Sequence, residues 1–182
     1  IGDYAFFWSP LEGIEISDSV TSIGTWAFHL CESLVEINIP ESVTSIGSLV
    51  FTCSHNLAII NVSDDNPAFC DIDGVLFNKS ATTLIQYPLG KSGVYRVPNG
   101  ITKLEKDSFL EAYQISGIII PASVIQLGSN LPFNSCKSLT DIWYMGNSES
   151  WRKIGSAPWT DTALSYITGA ETTIHYNYYP HY

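Results

Sequence analysis

Four cysteines (Cys31, Cys53, Cys70, Cys136) and four histidines (His29, His55, His175, His181) are the side chains best equipped for redox, metal or nucleophilic chemistry in this 182-residue chain. A zinc site needs thiolates or imidazoles at close, regular spacing, and no C-x-x-C pair occurs. No G-x-S-x-G elbow or comparable nucleophile motif accompanies any histidine, so the four are expected in exposed loops or the tail. Glu12, Glu15, Glu32, Glu36 and Glu41 would supply the paired carboxylates of a glycosidase if they converged on a pocket. The stretch "DDNPAFCDIDG", with Asp64, Asp65, Asp71 and Asp73, has the density of carboxylates that calcium favours. It lacks the D-x-D-x-D-G order and the closing glutamate, so a turn-rich loop is expected, with a weak ion site over 64–73 left open.

Whether any of these groups meet depends on the elements that carry them, and those elements repeat. "SVTSIG" occurs twice, at Ser19–Gly24 and Ser42–Gly47. Around it runs an L-x-x-I-x-I pattern: Leu11/Ile14/Ile16, Leu34/Ile37/Ile39, Leu57/Ile60/Val62, Ile115/Ile118/Ile120 and Leu139/Ile142/Tyr144, with Tyr95/Val97 as a degenerate copy. Alternating aliphatic residues read as a short strand with one buried face. Proline follows at Pro40, Pro98 and Pro121, stopping the strand because it has no N–H to donate. Apolar pairs three apart come next (Val20/Ile23, Val43/Ile46, Ile101/Leu104, Val124/Leu127). Gly24, Gly47 and Gly128 follow them, expected at turns that need positive φ. A phenylalanine closes each unit: Phe6, Phe28, Phe51, Phe109 and Phe133. One such unit cannot bury its own apolar edge, so successive units must stack as a solenoid. The segment "IGxxAFxxC" is expected to return the chain as a short helical or 3₁₀ turn.

Residues 63–94 break the period. "GVLF" (74–77) and "TLIQY" (83–87) are β-prone runs separated by "NKSAT", which predicts a β-hairpin insertion. At the other end "NSESWRKIG" predicts a helix from Asn147 or Ser148 to Gly155 with Trp151 and Ile154 on one side, and "TTIHY" (172–176) a closing strand. The segment 145–182 would cap the stack. The start, "IGDYAF", lies in mid-repeat without a cap or an initiator methionine, which predicts further repeats upstream.

"SLVEINIPESVTSIGSLVF" and its siblings "ISGIIIPASVIQLG" and "GVYRVPNGITKLEKDSF" closely resemble the BspA-type leucine-rich repeat family. "DGVLFNKSATTLIQYPLGK" looks like that family's hairpin insertion, and "IWYMGNSESWRKI" with "TTIHYN" like its usual C-terminal end. The resemblance implies one α/β solenoid domain over 1–182. Its form would be a right-handed, β-rich leucine-rich repeat superhelix with repeats at 1–62 and 95–144. It also implies an extracellular, bacterial surface or secreted setting and adhesion to host or extracellular-matrix proteins.

The period also places the chemistry. Cys31 and Cys136 stand three residues after the repeat phenylalanine, where other copies have Ser9, Ser54 and Ala112, so the slot holds a small buried residue. A disulfide tolerates Cα separations up to about 7 Å, which leaves only Cys31 with Cys53 conceivable. The glutamates fall largely on solvated faces. Outward strand positions differ between copies: Glu15, Asn38, Asn61, Arg96, Ile119 and Trp143 in one column, Gly13, Glu36, Ile59, Val94, Gly117 and Asp141 in the other. Ile59, Ile119 and Trp143 are expected to form an exposed partner-binding patch with Glu36, Asn38, Asn61 and Arg96 around it, unless the insertion or loops cover them. No catalytic, cofactor or metal residue is assigned.

Composition limits the partners. Only 14% of residues are charged and 45% are apolar, so the chain folds. Eight basic residues against eighteen acidic, a net charge of −10, disfavour nucleic acid and anionic membrane surfaces. No apolar run is long enough to span a bilayer. The expected function is a monomeric, non-enzymatic interaction module whose partner is a protein. The alternative is a glycan stacked on the aromatics Trp143, Tyr144, Trp151, Trp159, Tyr166, Tyr176, Tyr178 and Tyr179.

Overall fold

The computed structural model describes residues 1–128, 132–154 and 160–179. The chain divides into two compact units, Ile1–Lys91 and Ser92–Tyr182. Each is a stretch of β-solenoid.

In the first unit the short strands β1 (Ser22–Ile23) and β3 (Ser45–Ile46) pair in parallel, as do β2 (Glu36–Ile39) and β4 (Ile59–Val62). Glu36 lies beside Ile59, Ile37 beside Ile60, Asn38 beside Asn61 and Ile39 beside Val62, so the sequence period is the stacking period. Ile37, Ile39, Ile60 and Val62 point inward and are buried, with outward residues between them. The segment 11–16 sends Ile16 into the same core but joins no ladder, contrary to the strand predicted there. It carries Gly13, a weak strand former, and flanks the sheet from one side only.

Among the described residues the return segments contain no helix or 3₁₀ turn but runs of linked turns. The N–H groups of Tyr4, Phe6 and Trp8 donate to the carbonyls of Thr25, Ala27 and His29 in the next coil, at 2.8–3.0 Å. Those of Trp26, Phe28 and Leu30 donate likewise to Ser48, Val50 and Thr52. The amides between them close local bonds instead, Phe7 to Tyr4 and Ser9 to Phe6. Turning alternate peptides this way puts Tyr4, Trp8, Trp26, Leu30, Leu49 and Cys53 at positive φ, a conformation that costs bulky residues about 1–2 kcal/mol each and that the hydrogen bonds offset. Phe6, Phe28 and Phe51 stack along the core with centroids 5.2 and 5.8 Å apart.

Gly24 and Gly47 do not have positive φ, so their expected role is corrected. A Cβ on Gly24 would lie 2.5 Å from the Asp3 backbone nitrogen, and one on Gly47 2.5 Å from that of Thr25. The glycines let one coil touch the backbone of the coil before it. Gly128 does the same against Lys106.

The insertion has one strand more than predicted. β5 (Phe69–Ile72), β6 (Val75–Asn78) and β7 (Thr83–Gln86) form an antiparallel meander. Asp73 and Gly74, both at positive φ, make the tight turn between β5 and β6. Asn66, fully buried, fastens the meander to the coils. Its side-chain nitrogen donates to the carbonyls of Pro40 (2.8 Å) and Val43 (2.9 Å), and its oxygen accepts from the N–H groups of Ala68 (2.9 Å) and Phe69 (2.8 Å).

In the second unit β8 (Gly93–Arg96), β10 (Ile115–Ile120), β12 (Asp141–Tyr144) and β13 (Thr173–His175) form a parallel sheet in that order. β9 (Lys103–Leu104) pairs with β11 (Gln126–Leu127). Two helices pack here: α1 (Ser148–Lys153), capped by the Asn147 side chain, and α2 (Asp161–Thr168), which ends on Gly169 at positive φ. Trp151 of α1 is fully buried against Tyr144, ring centroids 5.1 Å apart. The predicted helix end at Gly155 lies outside the described residues. Among the described residues no helix is long and apolar enough to cross a membrane.

Candidate partner-binding face

The parallel ladders place outward residues in register, one strand spacing apart, so neighbours in a column touch. In the first unit this brings together three of the predicted residues. The Asn61 side-chain nitrogen donates to Glu36 Oε1 (2.8 Å) and to Asn38 Oδ1 (2.9 Å). A carboxylate only accepts, so Glu36 fixes the orientation of the Asn61 amide and, through it, that of Asn38. Both hydrogens of Asn61 are thereby used, and the Asn38 nitrogen and Asn61 oxygen remain as a donor and an acceptor on the open face.

A groove of about 390 Å³ runs past this cluster at the ends of β2 and β4. Ile14, Ile16, Ile39, Pro40 and Val62 form its apolar floor, and Glu15, Asn38, Asn61 and Ser63 its polar edge. A second hollow of about 400 Å³, lined by Glu15, Ile16, Ser17 and Asp18, continues from the shared Glu15 and Ile16. Ile59, 37% exposed, lies in register with Glu36 and against the meander turn: Ile60 N–H donates to the Gly74 carbonyl, and a Cβ on Gly74 would approach Ile59 Cγ2 to 3.1 Å.

In the second unit Arg96, Ile119 and Trp143 are register neighbours. Ile119 is only 9% exposed. The expected apolar patch is corrected at Ile119, which is buried with the core. Trp143 instead leans over Gly117, where a Cβ would collide with the indole. It stacks on His175 (5.6 Å, 16°) and meets Tyr178 at 5.9 Å. His175 Nε2 lies 2.7 Å from Asp141 Oδ1, and Thr140 Oγ1 donates to Asp141 Oδ2. These hydrogen bonds, chiefly that of His175, hold the Asp141 carboxyl below its ordinary value. Arg96 and Val94 are exposed on the same face.

The remaining candidates scatter. Of the proposed sugar-stacking aromatics, Tyr144 and Trp151 are core residues, Tyr166 and Tyr179 are exposed, and Trp159 lies outside the described residues. His181 also lies outside them. His29 stacks between Phe7 and Trp26 in the return segments, and His55 Nδ1 lies 3.0 Å from Glu32. His175, on β13, is a strand residue and not a loop one. Among the described residues no group of three or more His, Cys, Asp or Glu side chains is placed to hold a metal ion. Asp71 is occupied with backbone, accepting from the N–H groups of Val62 (2.9 Å) and Gly74 (3.2 Å).

No disulfide joins any of the four cysteines. Cys31 Sγ donates to the Phe6 carbonyl (3.1 Å) and Cys136 Sγ to that of Phe109 (3.0 Å). Ser54 Oγ, in the same slot, donates to Phe28 (2.7 Å) and accepts from the Cys31 N–H (3.0 Å). Sequence reasoning found the slot as small and buried but missed that it tethers each coil to the one before. The signal was there, since Cys and Ser share a donor that Ala lacks.

The BspA type leucine rich repeat region model matches the sequence in six copies, over residues 1–90 and 94–180. None of the curated proteins matches it. Among solved structures, the chain is similar to the pneumococcal vaccine antigen PcpA, with 28% identity, TM-score 0.64, and 78% of this chain against 41% of that one covered. A leucine-rich repeat protein from Eubacterium ventriosum is 27% identical, TM-score 0.65, with 79% of this chain and 44% of that one covered. A leucine rich cell surface protein from Faecalibacterium prausnitzii is 28% identical, TM-score 0.57, with 72% and 41% covered. The chain thus spans less than half the length of each.

Proposed function

We propose that this chain, which belongs to the BspA-type leucine-rich repeat family, is a non-enzymatic protein-interaction segment of a bacterial cell-surface or secreted protein. Its outward strand residues would engage a host or extracellular-matrix protein. The observation that carries this reading is the contrast between the two sides of each strand. Inward positions repeat aliphatic side chains, whereas outward positions carry a hydrogen-bonded Glu36–Asn61–Asn38 cluster in one unit and a Trp143–His175 stack, with Arg96 two strands away, in the other. An aromatic anchor and an exposed arginine are residue types enriched at protein interfaces. The surface setting is supported by the similar proteins, one described as a cell surface protein and one as a vaccine antigen.

Biolayer interferometry of the chain against a panel of extracellular-matrix proteins, each intact and enzymatically deglycosylated, tests it. Binding that survives deglycosylation and weakens at least tenfold in Asn38→Ala/Asn61→Ala or Trp143→Ala is expected. Absence of binding across the panel overturns the adhesive role. A second reading, glycan binding, rests on the ledge of Trp143, His175 and Tyr178. Binding lost on deglycosylation, with a glycan-array signal that Trp143→Ala abolishes, would replace the first reading with this one.

A further inference from the structure

Charge is divided unevenly along the chain. Of eighteen acidic and eight basic residues, eleven and two fall within Ile1–Lys91, and seven and six within Ser92–Tyr182. Up to Val62 there are seven carboxylates and no lysine or arginine. The two lysines of the first unit sit on or beside the meander and are turned to its backbone, Lys79 Nζ to the Asp64 carbonyl (2.8 Å) and Lys91 Nζ to that of Asp73 (2.7 Å). No lysine or arginine of that unit therefore stands on the strand face that Glu15, Asn38, Asn61 and the groove floor form.

We propose that this groove docks an extended basic segment of a protein partner. Lysine or arginine side chains of the segment meet Glu15, Asp18 and Glu36, and its backbone meets the Asn38 nitrogen and the Asn61 oxygen. The inference rests on the protein-interaction reading above and names the chemistry of the partner. Three features converge on it. Glu15 and Asp18 are exposed and line adjoining hollows, and Glu36, also exposed, is hydrogen-bonded to Asn61 of the groove edge, so a row of cations spaced along a strand meets them in turn. Ile14 and Pro40, half-buried above the core residues of the floor, give it an apolar surface that suits the methylene stems of lysine and the alternate apolar side chains of an extended peptide. The donor and acceptor left by the Glu36–Asn61–Asn38 cluster match the C=O and N–H of a peptide, whereas a bare cation or polyamine can use only the acceptor. Potentials of one sign over a groove steer and select oppositely charged partners, and they do so less at high salt.

Fluorescence anisotropy of the whole chain with a labelled short peptide alternating lysine and valine, and with its glutamate–valine counterpart, tests the proposal. The lysine peptide should bind with an affinity that falls as salt rises, and the glutamate peptide should not bind. Glu15→Gln and Glu36→Gln should each weaken binding about two- to fivefold, and together about tenfold. Asn61→Ala should weaken it severalfold without changing the salt slope. Asp65→Asn, an exposed carboxylate on the insertion, should change it less than twofold. Circular dichroism confirms that each variant is folded. An Asp65→Asn effect equal to that of Glu15→Gln would reduce the interaction to net charge and overturn the groove assignment. If neither peptide binds, or both bind alike, the basic-segment proposal fails. A matrix protein captured in the interferometry above would then still uphold the interaction module, and its absence there would remove both.

Discussion

Replacing Asn66 by aspartate changes one nitrogen to one oxygen in a side chain with no exposed surface, and the arrangement around it makes the cost calculable. Asn66 uses its full capacity: two donated hydrogen bonds to the carbonyls of Pro40 and Val43, two accepted from Ala68 and Phe69. In Asn66→Asp the two accepted bonds survive, but an oxygen now faces two carbonyl oxygens. Protonated, the new carboxyl satisfies one of them at most. Ionised, it satisfies neither and is buried beside two carbonyl dipoles. An orphaned buried partner costs about 1–3 kcal/mol and a buried uncompensated charge more, so a loss of about 3–5 kcal/mol at neutral pH is expected. That is a large share of the 5–15 kcal/mol typical of a folded domain. The pH dependence carries its own sign. The introduced carboxyl prefers its neutral form when folded, so its folded pKa is raised above the unfolded value of about 3.9. The native state then binds more protons, and stability falls as pH rises through the interval between the two values. Asn66→Ala orphans the same carbonyls and two amides without a titrating group, and its penalty should be flat over that interval. Urea unfolding of the three proteins at pH 4 and pH 7, followed by circular dichroism, gives both comparisons. A penalty below about 1 kcal/mol at pH 7, or identical pH profiles for the two variants, would refute the reasoning.

Ser54→Ala should destabilise by about 2–3 kcal/mol in urea unfolding, because the Phe28 carbonyl and Cys31 N–H both lose their buried partner. Ser54→Cys should cost less, since Cys31 and Cys136 already reach the equivalent carbonyl from this slot. Gly117→Ala should push the Trp143 indole off β10, altering its fluorescence and costing about 1–3 kcal/mol, while Gly13→Ala, in the same column with open space around it, should do neither. Burial pushes the Cys136 thiol up to about 12, so iodoacetamide at pH 8 should modify it only after denaturation, read by mass spectrometry. Asp141, held below its ordinary 3.8 by His175 and Thr140, contributes stability that is present above that value and lost as pH falls below it. Exposure limits this to about 0.5 kcal/mol, and Asp141→Asn should remove that part of the acid limb of the thermal midpoint.

What the sequence revealed and what it hid follow from where the constraint lay. The alternation in Ile37/Ile39, Ile60/Val62 and Ile142/Tyr144 is a statement about burial, and the strands stand where it placed them. The glycine of "SVTSIG" was visible, but its reason was not. Only the neighbouring coil shows that Gly47 makes room for the Thr25 backbone. β5 escaped notice because "FCDI" is half-buried on both sides and shows no alternation, although the Asp73–Gly74 pair that follows is a hairpin signal in its own right. The aspartates of that stretch suggest an ion loop, whereas Asn66 and Asp71 spend their side-chain polar atoms on hydrogen bonds within the protein. For the partner-binding face, the choice of outward residues needed only period two. That Ile119 is buried and that Trp143 lies over Gly117 are matters of side-chain direction, which a column of letters does not hold.

The return segments of the first unit give its stack a polarity that the strands do not. The bridging peptides of the turn rows, those of Tyr4, Phe6, Trp8, Trp26, Phe28 and Leu30, point their N–H toward the C-terminal neighbour, so these rows add their dipoles in one sense, as a helix does along its axis. A strand edge offers donors and acceptors in alternation and can meet a copy of itself. A return row has one side made of N–H groups and the other of carbonyls. Two such rows can join tail to head but not tail to tail, so any self-assembly through them is heterologous, a ring or a filament, and cannot be a two-fold dimer.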